Sequence, residues 1–307
     1  MKARLRGPRL IQTISGKAGV SLLVFALGIA ILGPLLAPHG LATPIGPPGS
    51  PPSGSALLGT DYLGRDVLSR VLHGGLSVIW IASAATLLSY TAGIPIGLVA
   101  GYRRSLIDPL LMRGVDVLLA FPGLLILLLL VAALGPHVSV LIVGVAVVQL
   151  PPIARIVRTA TLEVSTRGYV EAAQARGEST AAILRREILP NAAPVVLADV
   201  GIRFGYSIIL IASVNYLGLG LAPPAADWGL MIAENQEYIA LNVWAVLAPA
   251  IMLAMLTICV NLLADAYVHT LGQSTPAVRG SSRWAVRRHK AQETLETSAA
   301  ISSEPEP

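Results

Sequence analysis

The sequence contains few charged residues and a single cysteine. Asp, Glu, Lys and Arg make up 13% of its 307 residues, whereas a soluble domain carries about 25%. Hydrophobic residues make up 54%, so we expect lipid rather than water to surround much of the chain. The lone cysteine, Cys259, excludes an intramolecular disulfide framework and a cysteine-rich metal site.

Several motifs of catalysis and ligand binding are also missing. The sequence has no G-x-x-x-x-G-K-[ST] segment, so it does not bind ATP through a P-loop. It shows no nucleophile–base–acid constellation, and no nucleic-acid-binding pattern accompanies its net charge of +5. Its five histidines lack the spacing of metal ligands: they are His39, His73, His137, His269 and His289. We therefore expect no enzymatic activity, no cofactor, no metal and no nucleic-acid partner.

Six apolar segments are long enough to cross a bilayer, which needs about 20 helical residues. Backbone groups in lipid must bond within the protein, so the segments form helices or a closed barrel. The unbroken apolar run 124–130 does not alternate as a barrel strand would, so the sequence predicts an all-α integral membrane protein with six transmembrane helices. The segments are 18–37, 77–101, 114–134, 138–157, 204–221 and 243–267.

The first apolar segment has two interpretations, a signal peptide or a retained anchor. Its length of about 20 residues exceeds the roughly 7–15 residues of a signal-peptide core. No small-residue cleavage site follows it, and Pro34 and Pro38 stand there instead. We therefore expect a retained membrane anchor.

Basic residues divide unevenly between the two sides of the predicted bundle. Arg65 and Arg70 are the only basic residues in the segments on the outer side, whereas the N-terminal stretch, the loop 165–191 and the tail are rich in Lys and Arg. The positive-inside rule then places both termini in the cytoplasm. The predicted parts are a cytoplasmic N-terminus (1–17), a first helix with an extracytoplasmic segment (18–75), a five-helix core (76–270) and a disordered cytoplasmic tail (271–307).

The polar loop 165–191 is predicted to contain two short helices. Thr166 can cap a helix that begins near Arg167, and Gly177 can end it. Thr180 can cap a second helix, which stops ahead of Pro190. The residues leave two alternatives open: a docking platform for a partner protein, or an amphipathic connector on the lipid headgroups.

Three charges stand close together on the predicted outer side. Asp61, Arg65 and Asp66 fall within six residues and beside Gly64. The pattern favours a solvated turn with local ion pairs. The alternative is a docking surface for a solute-binding protein.

The other polar residues of note lie just before and within the predicted fifth span. Asp199 and Arg203 lie four residues apart, so they can neutralise each other at the inner boundary and reach toward the interface. A contact with the transported solute is the alternative. Ser213 and Asn215 lie deeper, where hydrogen bonding between helices is favoured over a place on a transport path.

The spacing E-A-A-x-x-x-G, with I-L-P-N downstream, resembles the EAA loop of ABC-importer permeases. Other stretches resemble the C-type subunit of the peptide/nickel permease family more narrowly, and the likeness extends over about residues 18–270. Those stretches are 58–70, 113–123, 216–229 and 261–265.

The resemblance implies a function, a docking site and partners. The chain would be a permease subunit of the bacterial cytoplasmic membrane that translocates di- or oligopeptides, with nickel chelates or glutathione-like solutes as the alternative cargo. Its partners would be a second homologous permease, two ATP-binding subunits and an extracytoplasmic solute-binding protein. A secondary transporter or a membrane enzyme is less favoured, because the spans lack acidic groups near the midplane and polar catalytic groups that converge. The residues that would couple to the ATPase are Glu171, Ala172, Ala173, Gly177, Leu189 and Pro190.

Overall fold

The structure is a computed structural model that describes residues 14–103 and 106–272. The predicted N-terminus 1–17 and the tail 271–307 lie mostly outside this range. A π-helical turn at Leu184–Ile188 and a 3-10 turn at Gln236–Tyr238 join neighbouring helices. The α-helices are α1 (Ile14–Leu36), α2 (Val67–Tyr102), α3 (Ile107–Leu119), α4 (Gly123–Leu134), α5 (Val138–Ser165), α6 (Gly168–Ala175), α7 (Thr180–Ile183), α8 (Leu189–Tyr216), α9 (Trp228–Asn235) and α10 (Trp244–Gly272).

Five helical segments are long and apolar enough to cross a membrane, and a bent pair provides a sixth if its two helices count as one span. This confirms the prediction of an all-α membrane protein with six apolar segments. The bent pair corrects the single helix predicted at 114–134, because α3 and α4 meet at 81°. Pro122 explains the break: it has no N–H to donate and disfavours helical geometry at Phe121.

Glycines near the C-terminal end of α2 bring this helix close to α5. Helix α2 runs unbroken from Val67 to Tyr102, through Gly93 and Gly97. A Cβ atom at Gly97 would lie 2.6 Å from the carbonyl oxygen of Ala154, and one at Gly93 would lie 2.6 Å from the side chain of Ile153. Small residues at four-residue spacing thus let the two helices approach closely.

The fifth span begins much earlier than the predicted 204–221. Helix α8 starts at Leu189, and a continuous helical path through the π-helical turn extends back to Thr180. The expected stop ahead of Pro190 is also wrong. Pro190 lies in the first turn of α8, directly after the π-helical turn, so the regular i→i−4 bonding is already interrupted where this residue has no N–H to donate.

Candidate coupling surface and its connection to the spans

The loop between α5 and α8 begins with a change of direction at Thr166 and Arg167. The Thr166 hydroxyl donates to the carbonyl of Glu163 at 2.9 Å, so it bonds within the end of α5 and does not cap α6. Arg167 occupies the N-cap position of α6, and its side chain makes no capping bond. The prediction of a Thr166 cap is therefore wrong, although a helix does begin next to Arg167.

Gly177 ends α6, as the sequence predicts. Its φ of +73° lies in the left-handed region that favours glycine. Its N–H donates to the carbonyl of Gln174 at 2.9 Å, and the N–H of Glu178 donates to the carbonyl of Ala173 at 3.2 Å. This pair of bonds forms a Schellman motif, which satisfies carbonyls at the end of the helix.

Helix α7 is capped one residue earlier than predicted. The hydroxyl of Ser179, rather than that of Thr180, accepts the N–H of Ala182 at 3.3 Å. Ser179 has the extended backbone expected of an N-cap residue. Because α7 passes directly into the π-helical turn and α8, this cap fixes the start of the fifth span.

A small apolar cluster holds the loop against the helices. Val170 and Ala173 of α6 are fully buried together with Ile183 and Ile188. The placement of Ala173 corrects the expectation that it belongs to a small-residue surface open to a partner. Its side chain faces inward and anchors α6.

The other predicted coupling residues lie toward the outside of the loop. Glu171, Ala172, Gly177 and Pro190 are exposed, and Leu189 is half-buried. A Cβ atom at Gly177 would meet no atom within 4 Å. We define these five residues as the coupling surface.

Charged side chains around α6 are mostly paired with their neighbours. Arg176 contacts Glu178 at 2.6 Å, and Arg167 contacts Glu163 at 2.9 Å. Within the part of the chain that the structure describes, Glu171 forms no ion pair, so its carboxylate is available to a cation on another protein.

A side-chain bond that the sequence analysis missed joins α6 to the second span. The amide nitrogen of Gln174 donates to the hydroxyl of Tyr102 at 3.0 Å. Tyr102 is the last residue of α2. Nothing in the local sequence signals this contact, since the two residues are 72 positions apart.

A cleft of about 290 Å³ opens beside α6, between the ends of α5 and α8. A carboxylate, a guanidinium and an amide line its polar side, and alanine, valine and tyrosine side chains line the rest. Such a cleft can accept a protruding side chain of a docked protein. Its walls are Ala160, Glu163, Val164, Arg167, Tyr169, Asn191, Ala192 and Val195.

Asp199 and Arg203 pair with each other, as predicted, at 3.2 Å. The expectation that they reach toward the interface is wrong. The Asp199 side chain is only 7% exposed, and its carboxylate accepts the hydroxyl of Tyr90 on α2 at 2.8 Å. The pair is therefore held in the interior, where a carboxylate needs this second bond.

A second polar contact joins three spans at mid-length. The hydroxyls of Thr86 and Ser207 lie 2.9 Å apart, and the amide nitrogen of Gln149 donates to Ser207 at 2.6 Å. All three side chains are buried. The sequence analysis missed this network, although polar residues inside apolar spans are the signal that could have found it.

Ser213 bonds within its own helix, whereas Asn215 bonds to the loop after α8 and interacts with Asp227, the N-cap residue of α9. The Ser213 hydroxyl donates to the carbonyl of Ile209, one turn back on the same helix, at 2.7 Å. The side-chain oxygen of Asn215 accepts the N–H of Leu221 at 2.9 Å. Asn215 thereby fastens the loop that leaves α8.

The predicted solvated turn on the outer side is a buried ion cluster. Asp61 pairs with Arg65 at 2.7 Å, which confirms the local ion pair. The prediction that this turn is solvated is wrong. Arg70 contacts both Asp61 and Glu234 at 2.7 Å. The side chains of Asp61, Arg65, Arg70 and Glu234 are at most 7% exposed. Arg70 and Glu234 add one positive and one negative charge, so the four-residue cluster stays neutral.

Helix α9 lies on the same side of the bundle as this ion cluster, and it contacts both α2 and α8. Its Trp228 is buried and donates from the indole nitrogen to the carbonyl of Val71 at 2.9 Å. The N-cap residue Asp227 accepts the N–H groups of Gly229 and Leu230. Burial raises the pKa of the Asp227 carboxyl above its ordinary value.

Apolar spans joined by an anchored helical loop define an integral membrane protein. The family described as binding-protein-dependent transport system inner membrane component matches residues 93–273. The chain therefore belongs to this family, and it is a multi-pass membrane protein.

Individual relatives agree with the family assignment. The chain is 36% identical over 264 residues to a putative peptide transport system permease protein of Brucella suis, covering 85% of this chain and 88% of that one. It is 36% identical over 214 residues to a glutathione transport system permease protein of Pectobacterium atrosepticum, covering 70% and 71%. The fold is similar to the inward-facing MetNI methionine ABC transporter, with a TM-score of 0.55, 20% identity and coverage of 66% of this chain and 95% of that chain.

Proposed function

We propose that this chain is a permease subunit of an ATP-driven importer that moves peptides across the bacterial cytoplasmic membrane. The family and the relatives named as peptide transport permeases support the proposal. The mechanism rests on one observation: the segment that bears the coupling surface runs directly into α8 and also packs against its start. A protein docked on α6 would thus act directly on a membrane span.

The mechanism depends on α6 moving as one body with the start of α8. Val170 and Ala173 bury their side chains against Ile183 and Ile188, so α6 cannot slide freely over the π-helical turn. Close-packed apolar contacts transmit displacement because they do not compress. Closure of two ATPase subunits on ATP would therefore shift α8 through this cluster.

The family assignment supports a set of partners. We infer a second homologous permease that completes the pore, two ATP-binding subunits and an extracytoplasmic solute-binding protein. ATP hydrolysis is assigned to the ATP-binding subunits, because this sequence has no P-loop. The permease itself would convert their motion into access from one side or the other.

We infer an orientation in which the coupling surface and both termini lie in the cytoplasm. The asymmetry of Lys and Arg supports this assignment. Reporter fusions after residues 50 and 280 should report opposite sides of the membrane. Two fusions on the same side would contradict the topology.

Glutathione-like solutes and nickel chelates are the alternative cargo on this scaffold. The relative from Pectobacterium atrosepticum supports the first of these. The deciding experiment is uptake into proteoliposomes that contain the co-purified complex and its binding protein. The uptake of labelled dialanine, glutathione and a nickel–histidine chelate is compared with and without ATP. If glutathione or nickel enters in an ATP-dependent way and dialanine does not, the proposal of a peptide cargo is wrong.

A further inference from the structure

Tyr206 lies at mid-depth in the bundle, on the open face of α8. The next residue, Ser207, contacts Thr86, which stands near the middle of the 36-residue helix α2. The Tyr206 side chain is 43% exposed. Tyrosine on a lipid-facing surface normally lies near the membrane–water interfaces, not at the centre.

The Tyr206 hydroxyl has no hydrogen-bond partner among the residues that the structure describes. Exposed hydroxyls on other faces of the spans are satisfied locally: Ser83 donates to the carbonyl of Ile79 at 2.7 Å, and Thr91 donates to that of Leu88 at 2.8 Å. An unsatisfied hydroxyl is unfavourable in hydrocarbon. The surroundings of Tyr206 in the membrane must therefore supply a polar partner.

The surface around Tyr206 is otherwise apolar. Ile202 and Ile209 are exposed on the adjacent turns of the same face. The break between α3 and α4 lies beside it, since the Tyr206 hydroxyl is 3.9 Å from where a Cβ atom at Gly123 would stand, and the Phe121 ring at this break is 61% exposed. The result is an apolar wall with one group that can both donate and accept a hydrogen bond.

We propose that Tyr206 lines the solute path of the assembled transporter and that its hydroxyl bonds to the backbone of the passing peptide. The inference rests on the proposed function. Peptides differ in their side chains but share amide N–H and C=O groups, so a single hydroxyl can serve every sequence. The flanking isoleucines present no charge or polar group that would select among side chains.

Cysteine labelling of the whole complex in nanodiscs tests whether water reaches position 206. Cys259 is the chain's only cysteine and is buried, so Cys259→Ala provides the background. Tyr206→Cys is compared with Leu57→Cys on the outer segment, 66% exposed, and with Ile31→Cys on the apolar face of α1, 62% exposed. A charged, membrane-impermeant methanethiosulfonate should label positions 206 and 57 but not 31, as read by mass spectrometry of this chain.

Peptide contact is tested in the same preparation. Dialanine delivered by the binding protein during ATP turnover should slow labelling at position 206 and leave position 57 unchanged. Tyr206→Phe keeps the ring and removes the hydroxyl, and it should lower the efficiency of dialanine uptake by about fivefold, the effect of one neutral hydrogen bond.

Each contrary result has a distinct meaning. If position 206 resists labelling while position 57 reacts, the face lies against lipid or the second permease and the inference is overturned. Labelling that dialanine does not slow during active uptake, or wild-type uptake by Tyr206→Phe, removes the peptide contact. If the wild-type complex imports no dialanine, the proposed cargo fails, while labelling at 206 still decides whether the residue lines the path.

Discussion

The hydroxyl of Tyr90 donates a hydrogen bond of 2.8 Å to the carboxylate of Asp199, which joins α2 to α8 inside the bundle. Asp199 also holds the guanidinium of Arg203 on its own helix. Because α8 continues from the coupling surface, this bond lies on the route by which motion of α6 would reach the spans.

Replacing Tyr90 with Phe should destabilise the bundle by about 1.5–3 kcal/mol, because it removes a buried bond to a charged group. The measurement is thermal unfolding in detergent. Tyr216→Phe is the matched control, since Tyr216 is 45% exposed and bonds to the exposed Gln236. Equal effects of the two changes would show that the Tyr90–Asp199 bond stabilises the bundle no more than an exposed bond does.

Asp61→Asn should cost about 3–5 kcal/mol, because it leaves Arg65 and Arg70 buried with too little opposite charge. The expected result is a large fall in the fraction of folded, monodisperse protein after extraction. Glu163→Gln also breaks an ion pair with arginine, but that pair is exposed and should contribute at most about 1 kcal/mol. A mild Asp61→Asn phenotype would contradict a structural role for the outer ion cluster.

Gly177→Leu should uncouple ATP hydrolysis from transport while the chain still inserts and assembles. The new side chain would protrude from the coupling surface, since nothing in this chain lies within 4 Å of it. Gly218→Leu is a close control: its φ is +72° against +73° for Gly177, it is equally free of neighbours, and it lies beyond the opposite end of α8. Backbone strain is therefore similar in both variants.

The readout is solute-stimulated ATPase activity of the reconstituted complex. Loss of stimulation in Gly177→Leu, with stimulation retained in Gly218→Leu, supports coupling through this surface. Similar behaviour of the two variants would assign the effect to backbone strain alone.

Glu171→Gln distinguishes two roles for an exposed carboxylate in the first turn of α6. A charge that only complements the helix dipole contributes about 0.3–1 kcal/mol. A charge that pairs with a cation across the ATPase interface costs about 2–5 kcal/mol when it is lost. We expect the larger effect, because no residue in the described chain forms an ion pair with Glu171.

Titration of purified permease with its ATPase subunits measures the difference. Glu237→Gln, on the opposite end of the bundle, controls for the loss of one exposed charge. A loss of affinity below about threefold, or roughly 0.65 kcal/mol, would leave Glu171 with a local role in the helix only.

Asp227→Asn should change how stability depends on pH. Burial raises the pKa of Asp227 in the folded state, so the folded state binds the proton more tightly than the unfolded chain does. The free energy of unfolding of the wild type then falls as pH rises from the ordinary aspartate pKa through the raised one. Asparagine keeps an oxygen for Gly229 and Leu230 but carries no charge, so this fall should disappear.

Unfolding temperatures across the acidic to neutral range provide the comparison. Asp227→Ala removes the cap itself and should be less stable at every pH. A pH profile of Asp227→Asn that parallels the wild type would mean that another group causes the decline.

The sequence by itself determined the lipid environment, the number of apolar segments and the position of the polar loop. These properties depend on composition and on runs of neighbouring residues, so no distant contact is needed to recognise them. Gly177 belongs to the same group, because a helix end in the left-handed region requires glycine whatever surrounds it.

Tertiary structure decided the features that depend on residues far apart in the chain. From the sequence, Asp61 and Arg65 are predicted to lie in a solvated turn. In the structure Arg70 and Glu234 bury this pair, and only the fold brings Glu234 there. Ala173 looks equivalent to Ala172 in sequence, yet the packing of α6 on Ile183 and Ile188 turns one inward and the other outward. Pro190 looks like a helix terminator, yet the helical path from Thr180 continues through it, because the π-helical turn Leu184–Ile188 directly precedes it.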